Sequence, residues 1–201
     1  MKIKPKIKAI IFDLGGVIMH GGYLPFIKHY CENCFTPQGK KKISELEHQV
    51  NLGTITEKKF YLEIQKIFHV ELTPKQMHDI IVRKMQTNKS LVEFIPKIKK
   101  AKVALFTNSI GLMALEVLKL RKVNTSKVFD KVYVSSKIHL AKPDTRAYMY
   151  VIENLKVEPK EALLVDDRLE NVELAQKLGM QGIVFKETSQ FKKDLARFEL
   201  I

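Results

Sequence analysis

The sequence contains no tryptophan and only two cysteines, Cys31 and Cys34, in 201 residues. Two thiols are too few for a disulfide framework in a chain long enough to build its own core. Their C-x-x-C spacing, with His29 nearby, offers three zinc ligands where a structural zinc site uses four, so two thiols on a helix is the default reading. Long apolar runs are also missing. The run at 9–12 is stopped by Asp13, far short of the roughly 20 residues that span a bilayer. The basic stretch at 1–8 is followed by too little apolar chain for a secretory signal. A cytoplasmic protein with no membrane partner is therefore expected. Repeats and low-complexity segments are absent apart from a lysine bias.

Acidic residues are scarce relative to basic ones, 22 against 35, which leaves a net charge of +13. A field of that sign attracts phosphorylated partners. The lysine clusters at 40–42 and 97–102 nevertheless lack the arginines and interleaved aromatics on which single-strand binders stack bases. Solvated helix faces explain them better than a nucleic-acid groove. With 45% apolar residues and eleven phenylalanines, the chain has material for one full core, or a core plus a modest insertion.

Short runs rich in β-branched residues at 7–13, 103–106, 131–134, 162–165 and 182–185 read as buried parallel strands. Helical patterns at 112–120, 145–155 and 169–178 separate the later ones, the last closed by Gly179 as a C-cap. That alternation implies βαβ units and an α/β fold, a Rossmann-like doubly wound parallel sheet with helices on both faces. Residues 21–87 interrupt it with no convincing strand. Thr56 opens a helix ending near Phe68, and Thr73 with Pro74 opens another. The expected organisation is an α/β core of residues 1–20 and 88–201, rejoined through a helix at 91–100, and a small all-α cap of residues 21–87 entered through Gly21 and Gly22 as hinge residues.

In an open parallel sheet, ligands bind beyond the carboxyl ends of the strands, and the residues there are unusually polar. Asp13 follows the first strand, Thr107 and Asn108 the second, and Asp166 and Asp167 the fourth, with Asn171 a turn later. Lys142 precedes Pro143 and a helix. Three carboxylates in one crevice repel unless a cation joins them, and oxygen donors without His or Cys point to Mg²⁺. A magnesium, a lysine and a hydroxyl beside a free carboxylate make a cradle for a phosphoryl group.

Four segments, in order, carry a family likeness: Phe12-Asp13-Leu14-Gly15-Gly16-Val17, Leu105-Phe106-Thr107-Asn108-Ser109, Ala141-Lys142-Pro143-Asp144 and Val165-Asp166-Asp167-Arg168. Together they resemble the signatures of the haloacid dehalogenase-like hydrolases, phosphatase type, with a helical cap inserted after the first motif. The resemblance implies Asp13 as nucleophile and Mg²⁺ ligand, and the Gly15 backbone carbonyl as a second ligand. It implies Asp167 as the acidic metal ligand, Asp166 as a neighbouring ligand or orienting group, and Asn171 as an outer partner. Thr107, Asn108 and Lys142 would hold the phosphoryl group. One position departs: Gly15 stands where the family's phosphatases usually carry a second aspartate that serves as general acid and base. Such help is worth roughly 10² to 10⁴ in rate. His20, near the cap entrance, is the substitute candidate.

The resulting expectation is a Mg²⁺-dependent phosphatase for a small phosphomonoester such as a sugar phosphate. The alternatives are a catalytically weak phosphate-binding or regulatory protein, or a 2-haloacid dehalogenase, against which the acidic pair counts. Tyr23, Phe26, Lys28 and Phe60 are candidate specificity residues of the cap. Phe35, Phe60, Phe68, Met77 and Met85 read as helix packing. The substrate and the oligomeric state are open at this level.

Overall fold

The computed structural model describes residues 6–31 and 35–200; the Cys34 half of the C-x-x-C pair lies outside them. In chain order the strands are β1 (Ala9–Phe12), β2 (Met19–His20), β3 (Gln86–Thr87), β4 (Lys102–Thr107), β5 (Lys131–Val134), β6 (Ala162–Asp166) and β7 (Gln181–Val184). Five of them form one parallel sheet in the order β5-β4-β1-β6-β7. From β1 the chain builds outward to β4 and β5, then crosses to β6 and β7 on the other side. That reversal opens a crevice at the carboxyl ends of the strands beside β1. Period-2 alternation divides the sheet's side chains between two cores. Ile10, Phe12, Leu105, Leu163 and Val165 pack on one face, and Ala9, Ile11, Ala104, Phe106 and Leu164 on the other.

Among the described residues, four helices lie between β2 and β3: α1 (Tyr23–Tyr30), α2 (Pro37–Asn51), α3 (Glu57–Phe68) and α4 (Pro74–Lys84). Threonine caps begin three of them. Thr36, Thr56 and Thr73 accept bonds from the backbone N–H groups of Gly39, Lys59 and Gln76, each cap being worth about 1 kcal/mol. The buried side chains Phe26, Phe60, Ile64, Met77 and Ile81 continue the first sheet-face core. Gly21 and Gly22 follow β2 at φ 81° and 90°. A Cβ at Gly21 would lie 2.7 Å from the Lys84 carbonyl oxygen, and one at Gly22 would lie 2.4 Å from Met85 Cγ. These glycines therefore let the entering and leaving chains pass close together.

Several expectations for this stretch need correction. Gln86–Thr87 is a strand, pairing antiparallel with Met19–His20; two residues are too few to show a period. Phe26 and Phe60 are fully buried, so they are core residues and not specificity residues. Phe35, 45% exposed, is not packed as expected, because it stands outside the Thr36 cap. Phe68 and Met77 are buried.

After β3 come α5 (Lys89–Phe94), α6 (Met113–Leu120), α7 (Thr125–Val128), α8 (Ser135–Ile138), α9 (Thr145–Leu155), α10 (Leu169–Lys177) and α11 (Thr188–Ala196). The helix expected at 91–100 ends early and passes into a 3₁₀ turn, Ile95–Lys97. Pro96, which has no N–H to donate, accounts for the stop. Met113, Val117, Phe191 and Leu195 cover one sheet face, and Ala147, Tyr148, Val151 and Ile152 the other. No described helix is long and apolar enough to cross a membrane.

Candidate active site

Asp13 directly follows β1, and its N–H donates to the Val165 carbonyl at 2.9 Å, so the aspartate leaves the sheet between β4 and β6. The chain then turns tightly, with Gly16 N–H bonded to Met19 O at 2.7 Å and Met19 N–H to Leu14 O at 2.8 Å. Gly16 has φ 71°, and a Cβ there would fall 1.9 Å from Asp167 Oδ2. Only glycine lets Asp167 lie against this turn. Residue 15 is different, since its Cβ would meet nothing nearer than Asp13 Oδ2 at 3.8 Å.

Lys142 Nζ lies 2.8 Å from Asp13 Oδ1 and 2.6 Å from Asp166 Oδ2, with its side chain only 3% exposed. Its backbone is clamped by a single carboxamide. Lys142 N–H donates to Asn108 Oδ1 at 2.9 Å, and Asn108 Nδ2 donates back to Lys142 O at 2.7 Å. Asn108 thus fixes the height of the lysine relative to β4. Thr107 Oγ1, nearly buried at this strand's end, donates to the Asn108 carbonyl at 2.9 Å.

Asp166 is wholly buried and held from several sides. Besides Lys142, Asn171 Nδ2 reaches both its oxygens at 3.0 Å and the Arg168 N–H reaches Oδ1 at 3.0 Å. Tyr148 Oη donates to Asn171 Oδ1 at 3.4 Å, which orients the carboxamide. Burying such a carboxylate is tolerable only with this many partners. Asp166 lies behind the cavity, whereas Asp13 and Asp167 line it.

Carboxylate oxygens of Asp13, Asp166 and Asp167 all lie within 4.8 Å of one another. Burial raises the proton affinity of Asp13 and Asp167. Asp13 is pushed up to about 6 by desolvation, with Lys142 opposing and Asp166 adding to the rise. Asp167 is raised by desolvation and by Asp166. Burial pulls the Lys142 ammonium down, and the two carboxylates more than offset that, so it stays protonated. An all-oxygen cluster without imidazole or thiolate fits a hard divalent cation such as Mg²⁺. Among the described residues no other cluster of three His, Cys, Asp or Glu side chains is so placed, and Cys31 is simply buried.

A cavity of about 600 Å³ opens over these groups. Asp13, Gly15, Thr107, Asn108, Lys142, Asp167 and Asn171 form its core side, and His20 stands at it on β2, exposed. Tyr23, Leu24, Pro25, Lys28, Glu47 and Asn51 close it from α1 and α2. Met85, expected in helix packing, also lines it. Sequence reading missed Gly16, Tyr148, Arg168, Glu47 and Asn51. Only Gly16 and Arg168 carried a signal, as immediate neighbours of the motif aspartates; the others come from helices whose facing side only the fold reveals.

Residues 10–185 match the family model described as haloacid dehalogenase-like hydrolase. The chain belongs to this hydrolase family. It is 27% identical over 185 residues to the phosphorylated carbohydrates phosphatase of Thermotoga maritima, covering 88% of this chain and 83% of that one. It is 24% identical over 199 residues to the drimenol cyclase drtB of Aspergillus calidoustus, matching 94% of this chain but only 36% of that protein. Among solved structures, a family enzyme from Bacteroides thetaiotaomicron in complex with magnesium and inorganic phosphate superposes with a TM-score of 0.75 at 23% identity. That match covers 90% of this chain and 96% of the other. An L-2-haloacid dehalogenase shares the fold with a TM-score of 0.61 at 14% identity, over 88% and 82% of the two chains.

Proposed function

We propose that this hydrolase is a Mg²⁺-dependent phosphatase acting on a small phosphomonoester, a sugar phosphate in the first instance. The observation that carries the reading is the convergence of three carboxylates and one buried ammonium at the sheet's reversal point. The magnesium and phosphate found in the Bacteroides structure and the carbohydrate phosphatase from Thermotoga support it. A 2-haloacid dehalogenase needs no metal, and an uncompensated acidic cluster would repel its carboxylate substrate.

In this reading Asp13 attacks phosphorus in line, the substrate alcohol departs, and water then cleaves the aspartyl phosphate. Asp13, Asp167 and the Gly15 carbonyl hold Mg²⁺, with Asp166 beside them, and the ion when bound neutralises phosphoryl oxygens. Lys142 balances Asp13 and then the transferred group, Thr107 and the Asn108 backbone receive the phosphoryl oxygens, and Asn171 orients Asp166. Residues 21–87 act as the cap that bounds substrate size over a core of residues 1–20 and 88–201. His20 is the candidate for protonating the leaving alcohol in place of residue 15.

Pre-steady-state hydrolysis of p-nitrophenyl phosphate with Mg²⁺ tests this, because its leaving group departs without a general acid. Steady turnover lost with chelator and in Asp13→Asn is the expected result. A stoichiometric burst that stalls would instead favour a phosphate-binding module with a trapped Asp13. No metal-dependent release at all would sink the reading.

A further inference from the structure

Two side chains of the insertion that face the cavity have no part in the phosphoryl chemistry. Glu47 and Asn51 are four residues apart on α2, so they stand one turn apart on one helix face, and both line the cavity. Glu47 is half-buried on α2, and burial raises its proton affinity. The Tyr23 hydroxyl and the Arg168 charge act on it in the opposite sense. Tyr23 itself packs on Phe60 at 6.0 Å between ring centroids, which fixes the phenol that acts on the carboxylate.

An ionised carboxylate only accepts hydrogen bonds and offers about four lone-pair directions. A substrate entering the cavity displaces the water that would fill them. The complement is a donor. A cationic amine is a poor match, because Lys28 and Arg168 share the same cavity and would repel it. A neutral hydroxyl is the remaining class, and Asn51 adds both a donor and an acceptor for a neighbouring one. Leu24, Pro25 and Met85 supply an apolar wall suited to the C–H face of a ring.

We infer that Glu47 and Asn51 read the hydroxyls of the substrate's alcohol portion, so that the substrate is a polyhydroxylated phosphomonoester. This rests on the phosphatase reading and goes beyond it by naming the residues that choose the leaving group. A site built to bond a hydroxyl discriminates strongly against the analogue lacking it, because its own polar group is then left unpaired.

The experiment compares hexose and pentose monophosphates, their singly deoxygenated analogues, hexyl phosphate and p-nitrophenyl phosphate on the wild-type chain and on Glu47→Ala. The wild type is expected to lose about tenfold or more in kcat/KM when one particular hydroxyl is removed. Glu47→Ala is expected to erase that discrimination while its sugar-to-aryl kcat/KM ratio falls by about the same factor. If the alanine variant does not fold, Glu47→Gln enters the same assay and is expected to shrink the discrimination in the same direction. A preference for hexyl phosphate over every sugar phosphate overturns the inference, as does deoxy discrimination unchanged in the variant. Failure of Asp13-dependent p-nitrophenyl phosphate hydrolysis removes the phosphatase reading itself, and that outcome is separable from the other two.

Discussion

Residue 15 has the room to be an aspartate. Its Cβ would have ordinary van der Waals contact with Asp13 Oδ2 at 3.8 Å, and unlike Gly16 it has no positive φ. Glycine at this position is therefore not demanded by the backbone, whereas at Gly16 it is. Gly15→Asp is predicted to add proton transfer to a site whose other groups are already placed, raising kcat on alkyl and sugar phosphates by about 10². The gain should be smaller on p-nitrophenyl phosphate, whose departure needs no acid, so the measured quantity is the ratio of the two kcat changes. An unchanged ratio would mean that His20 or another group already supplies the proton. Adding a third carboxylate beside Asp13 also raises repulsion, so the variant is expected to need more Mg²⁺ for half-maximal rate.

At the scale of elements, α3 and α4 meet α6 through one imidazole. His78 on α4 bonds Glu57 on α3 through Nδ1, and its Nε2 lies 3.0 Å from Glu116 on α6. Tyr61 stands edge-on at 6.4 Å. Burial lowers the His78 proton affinity, and the bonds and charges of Glu116 and Glu57 more than restore it, so its pKa lies above the ordinary value. Glu57 is also raised, chiefly by burial. A raised folded-state pKa stabilises fully below the unfolded value and fades as pH rises through the folded value. His78→Gln is therefore predicted to lower Tm most below the ordinary histidine value of 6.5 and progressively less as pH rises above it. A gap independent of pH would mean that the contact works by packing alone. Elements of this kind were partly legible in the sequence. Residues 145–155 form α9 end to end because Asp144 caps its start and Ala147, Val151 and Leu155 repeat on one face. Four-residue helices such as α7 and α8, and the two-residue pair β2 and β3, are too short to carry a period and were not seen.

For the molecule as a whole, the parallel sheet was readable because strands buried on both faces are written as short apolar runs, and the polar residues that break off each run mark its carboxyl end. What the sequence hid is which distant side chains complete the site. Asn108 and Lys142 stand 34 residues apart, and Tyr148 and Glu47 come from helices whose facing sides depend on topology. The charge held there has a consequence for stability. Asp13 is pushed up to about 6 and Asp167 is raised as well. In the metal-free protein both therefore favour the folded state at low pH and lose that contribution as pH rises through the folded values. A divalent cation needs the same carboxylates unprotonated, so protons and Mg²⁺ compete. The increase in Tm on adding Mg²⁺ is accordingly predicted to be small near pH 5 and to grow through about pH 6 to a plateau above neutrality. There a concentration of about 100 times Kd would add about 2.7 kcal/mol. Asp167→Asn should abolish the increment at every pH, and Asp13→Asn should greatly reduce it. An increment that is flat with pH, or that survives Asp167→Asn, would place the cation elsewhere on the molecule.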